Sequence, residues 1–406
     1  MFARREVAEQ LVVGQMGIGL QQPGPVFIEL LFNFDAVHHS PVNWLRRFCH
    51  EACHTSTVTG MASLPRHPEL GFYTLAGAPK SPRDMLGELA DAEAMGLGSA
   101  FISERFNIKE AGALTGAAVA VTNSINIITG ATNHTTRHPL VTASWSSTLH
   151  LMSEGRFSLG LGRGIDAMFK AYGMPLATTD SMEKFAHVMR RLWRGETVMN
   201  YEDITGKYPV LRLDPAFDLD IPLSITAFGP QTLEMGGRAY DNVILHTFFT
   251  DETTQRAVQT VKRAAEQAGR DPATVKVWSC LATVGDHIDP ALRLKKTVGR
   301  LATYLQAYGD LMVRTNNWDP DVLKRFRADE FVRTFAGALD AKGTTEDLER
   351  VAPLIPEEWL APSATGTPQQ CVAAIRNQFA LGCDGVIMHG ATPTELLPII
   401  NAYTSE

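Results

Sequence analysis

The residues of this chain best suited to chemistry sit where short apolar runs stop. Ser103-Glu104-Arg105 follows Ala100-Phe101-Ile102, and Ala131-Thr132-Asn133-His134-Thr135-Thr136-Arg137-His138 follows Ile125-Asn126-Ile127-Ile128-Thr129-Gly130. Gly160, Gly162 and Gly164 alternate through Gly155-Arg156-Phe157-Ser158-Leu159-Gly160-Leu161-Gly162-Arg163-Gly164. Ala227-Phe228-Gly229-Pro230-Gln231-Thr232 closes another run, and His246 ends a sixth. Glycine permits φ > 0 and close backbone approach, and successive N–H groups in such a loop form a concave anion site. A tight strand-to-helix turn uses the same glycines, so the loop alone does not separate a ligand cradle from a turn. Gln231 and Thr232 open a helix whose free N–H groups suit a phosphate. The set as a whole matches an anionic, planar ligand, with polar side chains from the second and third runs at its edge. For His134 and His246 taken singly, a hydrogen-bonded rim histidine is the alternative. Arg163, between two glycines, reads as a ligand clamp, with a surface partner as its alternative.

Competing motifs are readily checked. Ile165 stands where G-x-G-x-x-G needs its third glycine, which removes a Rossmann dinucleotide site. No G-x-x-x-x-G-K-[ST] occurs, which removes the P-loop. His50-Glu51-Ala52-Cys53-His54 matches the H-E-x-x-H of zinc proteases, but no third ligand or protease core accompanies it. His134 and His138 are four apart in a loop before Pro139, so no metal site is expected.

The elements around these residues alternate. From Gly71 the apolar runs 71–76, 100–102, 125–130, 157–161, 221–225, 242–246, 275–283 and 382–388 read as strands, each followed by a helical segment. Pro139 opens one helix, with Val141, Trp145, Leu149 and Met152 as its expected buried stripe. Eight such pairs imply a parallel sheet with right-handed crossovers, closed into an α/β (β/α)8 TIM barrel. The barrel's strand C-termini then carry the site. Segments 196–220 and 310–362 read as insertions. Residues 1–60 lack sustained periodicity and read as an extension, disordered or outside the functional protein, with the domain spanning 61–406.

A net charge of −7 over 406 residues argues against nucleic acid as a partner. No apolar run reaches the length of a membrane span. Five scattered cysteines fit a reducing cytoplasm. The expected partners are a small-molecule substrate and a second copy, as a homodimer.

In combination these motifs resemble the luciferase-like flavin oxidoreductases. The resemblance rests on His138-Pro139, on Ser153-x-Gly155-Arg156-Phe157-x-Leu159-Gly160-Leu161-Gly162-Arg163-Gly164, and on Gly366-Thr367-Pro368 before Gly382-Cys383-Asp384-Gly385. Ser103-Glu104-Arg105-Phe106 and Gly130-Ala131-Thr132-Asn133-His134-Thr135 look most like the deazaflavin branch from actinobacteria, which uses coenzyme F(420). The resemblance implies a luciferase-like barrel with hydride transfer between F(420) and an organic substrate. The alternative is an FMN-dependent monooxygenase that uses dioxygen, and a further one is a non-catalytic flavin-binding barrel. It implies catalytic roles for Glu104, Arg105 and His134, and cofactor contacts from Thr132, Asn133, Thr135, Arg163, Gly164, Phe228, Gly229, Gln231 and Thr232. It also suggests a non-proline cis peptide in a bulged third strand, at Thr132-Asn133. The related sugar-phosphate dehydrogenases carry a catalytic His where Arg105 stands and a catalytic Glu where Ile165 stands. Arginine stays protonated and cannot act as a general base.

Overall fold

The structure, a computed structural model, describes residues 66–405 apart from 78 and 107. The proposed extension and the His50–His54 motif therefore lie outside the described residues.

Eight parallel strands close on one another: β1 (His67–Tyr73), β2 (Leu97–Ile102), β3 (Asn126–Thr129), β4 (Phe157–Leu161), β7 (Leu223–Thr226), β8 (Asn242–Ile244), β9 (Lys276–Gly285) and β11 (Gly385–His389). Between them fall the antiparallel hairpin β5 (Val198–Asp203) and β6 (Gly206–Leu211), and the short β10 (Ala364–Gly366) on the far end of β9. Closure comes from pairing Leu70 with Val386, and Val243 with Val277. The barrel helices are α1 (Asp84–Met95), α2 (Ala111–Val121), α3 (Pro139–Met152), α4 (Thr179–Trp193), α5 (Pro230–Ala239) and α6 (Asp251–Gln267). After β9 come α7 (Arg300–Asn316), then α8 (Pro368–Ala380), and α9 (Pro393–Ser405) closes the chain. This is the expected (β/α)8 barrel.

Local sequence explains the boundaries. Leu97 to Ile102 is buried at every position, as a strand covered on both faces requires. Gly96 stops α1 in the left-handed region at φ 77. Thr178 and Ser181 cap α4 reciprocally, and Thr367 and Gln370 do the same for α8. The first strand starts four residues earlier than expected, because the register shift between His67 and Gly71 accommodates Pro68 inside the sheet. Gly98 clears the way: a Cβ there would lie 2.4 Å from the Pro68 carbonyl oxygen.

Only part of the apolar stripe expected on α3 faces inward: Leu149 is buried and Trp145 packs against the core. Val141 and Met152 are exposed, whereas Thr142, Ala143, Ser146, Ser147 and Leu149 face inward. Small residues let the helix lie close, and Ser146 and Ser147 donate to the carbonyls of Thr142 and Ala143, so their hydroxyls are buried satisfied. Phe101, Ile128, Ile244, Trp278 and Ile387 fill the barrel interior beneath Tyr73. The insertion at 196–220 is the β5–β6 hairpin. The excursion after α7 is helical around a second core, where Trp318 and Trp359 stack 4.5 Å apart beside Phe248, Leu301 and Leu305.

Candidate active site

The C-terminal ends of the strands form a recess with two unlike sides. Ala131 and Thr226 on one side, and Phe228, His246, His389, Tyr304 and Tyr308 on the other, keep partial solvent access deep in the fold.

The first side is the meeting of β3, β4 and β7. The expected glycines are present, and the chain's own packing requires them. A Cβ on Gly160 would lie 1.7 Å from the Thr129 carbonyl oxygen, and one on Gly162 would meet Thr226 at 2.8 Å and Ala131 at 3.1 Å. Gly164 has φ +81, and a Cβ there would run into the Phe169 ring. The glycine loop is thus first a place of close approach between strands. Thr132 continues the ladder past β3: its N–H donates to the Gly160 carbonyl at 3.0 Å, and the Gly162 N–H donates to the Thr132 carbonyl at 2.8 Å. Asn133 Nδ2 donates to the Gly162 carbonyl at 2.7 Å. The cis peptide lies at Gly130-Ala131, two residues before the expected Thr132-Asn133. Position 130 is tight for a side chain, because a Cβ would sit 3.0 Å from the Tyr73 side chain.

Glu104 and Thr132 are brought together, with a partner that the sequence reading did not single out. Thr132 Oγ1 donates to the Glu104 carboxylate, and Arg137 grips the same carboxylate at 2.5 and 3.2 Å. Arg137 also donates to Thr132 Oγ1 at 2.8 Å and pairs with Glu110. Glu104 is buried, so this bidentate pair is what makes a carboxylate there tolerable. Its observed work is to tie the loop after β2 to the loop after β3.

The structure scatters other expected residues. His134 lies fully buried with its ring 5.2 Å from Phe185 of α4, and neither ring nitrogen has a hydrogen-bond partner among the described residues. Burial pushes its pKa down to about 4. That setting separates it from the Glu104 cluster. Thr135 Oγ1 is buried without a hydrogen-bond partner among the described residues. Arg163 is exposed and donates to Thr179 at the start of α4, 2.9 Å away. Arg105 is exposed, and its guanidinium donates to the Glu104 carbonyl at 2.8 Å.

The second side gathers Phe228, His246 and residues from distant segments. The Phe228 and His246 ring centroids are 4.4 Å apart. Gly229 caps α5 without a side-chain bond, and the space where its Cβ would be is open, leaving the N-terminus at Gln231 and Thr232 accessible. Tyr304 and Tyr308 descend from α7, which breaks from helical geometry at Tyr308 (φ −151°, ψ 34°). Tyr308 lies 3.0 Å from His246 Nε2, and Tyr304 stacks on Tyr308 with centroids 5.4 Å apart. Burial pushes the His246 pKa down to about 4 and raises those of Tyr304 and Tyr308. His389 ends β11 with its ring edge-on to Tyr73 at 5.4 Å. Burial, then the charges of Arg300 and Arg105 among others, hold it well below the usual histidine range. Arg300 is paired with Asp340 at 2.6 Å.

His389 was within reach of the sequence, since a polar residue ending a strand is the rule that found His246. Tyr304 and Tyr308 carry no such signal. Among the described residues no group of three or more His, Cys, Asp or Glu is placed to hold a metal, and no helix is long and apolar enough to cross a membrane.

Comparison with known proteins now bears on this geometry. The profile of the luciferase-like monooxygenase family matches residues 60–385. The chain is 30% identical over 305 residues to 5,10-methylenetetrahydromethanopterin reductase of Methanolobus tindarius, spanning 73% of this chain and 86% of that protein. It is 25% identical over 341 residues to F420-dependent glucose-6-phosphate dehydrogenase of Beutenbergia cavernae, spanning 78% and 90%. Among solved structures, coenzyme F420 dependent tetrahydromethanopterin reductase of Methanopyrus kandleri superposes with a TM-score of 0.68 at 21% identity, over 84% of this chain and 99% of that one. The oxygenating constituent of 3,6-diketocamphane monooxygenase of Pseudomonas putida, in complex with FMN, gives 0.56 at 18%, over 82% and 94%. With a profile match across most of its length, a relative at this identity and a closed eight-stranded barrel, the chain belongs to the luciferase-like monooxygenase family.

Proposed function

We propose that this chain is an oxidoreductase that exchanges hydride between coenzyme F(420) and a small organic substrate, with residues 61–406 as the catalytic unit. The observation that carries this reading is the two-sided recess at the strand C-termini. Nothing larger than threonine forms the side made by Gly130, Ala131, Gly162 and Thr226, which suits a flat tricyclic ring. The open, uncapped N-terminus of α5 at Gly229 to Thr232 suits the anionic tail that such a cofactor carries. These residues fit the group, and the F(420)-dependent relatives support the choice. When bound, the deazaflavin would supply the two-electron redox chemistry, leaving the protein to orient the reactants and shape their electrostatics. Phe228, Tyr304 and Tyr308 would then enclose the substrate and exclude water from the reacting atoms.

The FMN-containing monooxygenase of like fold supports a second reading, in which reduced FMN activates dioxygen. Titration with F(420) and with FMN, followed by tryptophan fluorescence, tests the two. Saturable F(420) binding is expected. Tight FMN binding with no response to F(420), together with oxygen uptake when reduced FMN is supplied, would overturn the first reading.

A further inference from the structure

Two imidazoles stand on the aromatic side of the recess, and only one has its nitrogens occupied. His246 Nδ1 lies 2.9 Å from the Thr247 carbonyl oxygen, and Nε2 lies 3.0 Å from the Tyr308 hydroxyl. A carbonyl oxygen can only accept, so Nδ1 carries the proton and Nε2 accepts from Tyr308. Using His246 as a base means breaking the bond to Tyr308. His389 differs: it ends a barrel strand at the catalytic face, it keeps partial solvent access, and neither ring nitrogen has a hydrogen-bond partner among the described residues. Its surroundings come from several elements. Tyr73 contacts it from β1, while Arg105 after β2, Lys109 before α2, Arg300 on α7 and His246 after β8 act on it electrostatically. Those groups are cationic whenever they are charged, so they disfavour a further positive charge. The imidazole is held neutral, and its unprotonated nitrogen has no partner among the described residues.

We propose that His389 is the proton-transferring residue of this enzyme, and that its substrate is an alcohol–carbonyl pair. The proposal rests on the reading of the chain as a hydride-transferring oxidoreductase. An open, neutral imidazole is useful where a heteroatom must lose or gain a proton as its carbon changes oxidation state. In the oxidising direction the substrate O–H bond breaks and its proton passes to a His389 ring nitrogen. The carbinol C–H bond breaks with both its electrons, which leave as hydride to oxidised deazaflavin, and the C=O bond forms. In the reducing direction the imidazolium returns the proton to the carbonyl oxygen as hydride reaches the carbon. The recess gives the imidazolium a route to water.

Two measurements on the full chain test this. The first is carbethoxylation of the wild-type protein by diethyl pyrocarbonate, read by peptide mass spectrometry. His389 is expected to react at least tenfold faster than His134 and His246, and saturating F(420) should slow it. The second is F(420) reduction with isopropanol, cyclohexanol and glucose 6-phosphate. His389→Gln is expected to lower turnover about 100-fold or more, to remove the low-pH fall in kcat, and to leave F(420) affinity within about twofold. Added imidazole should restore part of the rate to His389→Ala. Unchanged turnover and pH profile in His389→Gln, or labelling of His389 no faster than of His246, overturns the role of His389. F(420) binding without turnover of any of the three alcohols overturns the substrate class. Absence of F(420) binding by the wild-type chain overturns the cofactor reading, and this proposal with it.

Discussion

The two sides of the barrel mouth are made of opposite materials. On the β3–β4–β7 side, Gly160 lets the Thr129 backbone approach to a distance that no side chain tolerates, Gly162 does the same for the side chains of Thr226 and Ala131, and main-chain bonds from Thr132 lock them. On the β8–β9–β11–β1 side, His246 meets Tyr304 and Tyr308 from α7, His389 meets Tyr73 and Cys280 meets Thr247, all through side chains. The difference teaches a division of labour. Backbone packing makes a rigid, featureless surface on which a planar group can lie, whereas titratable side chains make a surface that moves protons and selects substrates. The Glu104–Arg137 pair belongs to the first side. Despite its charge, it braces loops.

That contrast can be broken from either side. The largest expected effect is from Arg137→Leu, which strands a buried Glu104 carboxylate. A loss of about 3–5 kcal/mol in urea unfolding is expected, with Glu104→Leu in the same chain recovering much of it. A loss under 1 kcal/mol would instead leave Glu104 free for chemistry. Next comes Gly160→Ala, whose methyl would sit 1.7 Å from the Thr129 oxygen. It should cost about 3 kcal/mol, the upper end for overpacking, by the same measurement.

Gly162→Val sharpens the comparison at smaller cost. It pushes on Thr226 and Ala131, so F(420) affinity should fall about tenfold, near 1.4 kcal/mol, whereas Tyr304→Phe should leave it unchanged. Equal loss in both variants would end the division into two sides. The smallest effect concerns pH. His134 and His246 both titrate at about 4 in the folded chain, through burial first. The unfolded chain therefore binds more protons between pH 6.5 and 4, and stability falls as pH drops through that window. At pH 5.5 each site contributes about 1 kcal/mol of that loss. The melting temperature of His134→Phe should therefore depend less steeply on pH than that of the wild type.

How much of this was legible follows from the range over which each signal acts. Apolar runs stopping at polar residues located all eight strands, because a strand buried on both faces needs such a run whatever its neighbours are. The same rule located Glu104, Thr132 and His246 at the mouth. It misjudged half of α3, where Val141 and Met152 face solvent and the small residues Thr142, Ala143, Ser146 and Ser147 are buried beside Leu149. It left open whether the glycine loop serves a ligand or a turn, and the structure adds that a Cβ on Gly160, Gly162 or Gly164 would meet the chain itself.

The sequence by itself determined the alternation of strand and helix, the caps, and the end of the barrel that carries polar groups, all set by residues a few positions apart. Only the tertiary structure decided which polar groups meet. Arg137 reaches Glu104 across 33 positions, and His246 reaches Tyr308 across 62. Closure of the barrel and the descent of α7 over its mouth set those pairings. The physical reason is that hydrogen bonds and desolvation act over a few ångströms in space, while periodicity reports only on neighbours along the chain. His389 makes the point most directly: its place at a strand end was written in the sequence, but its unoccupied nitrogens became visible only once every neighbour was in position.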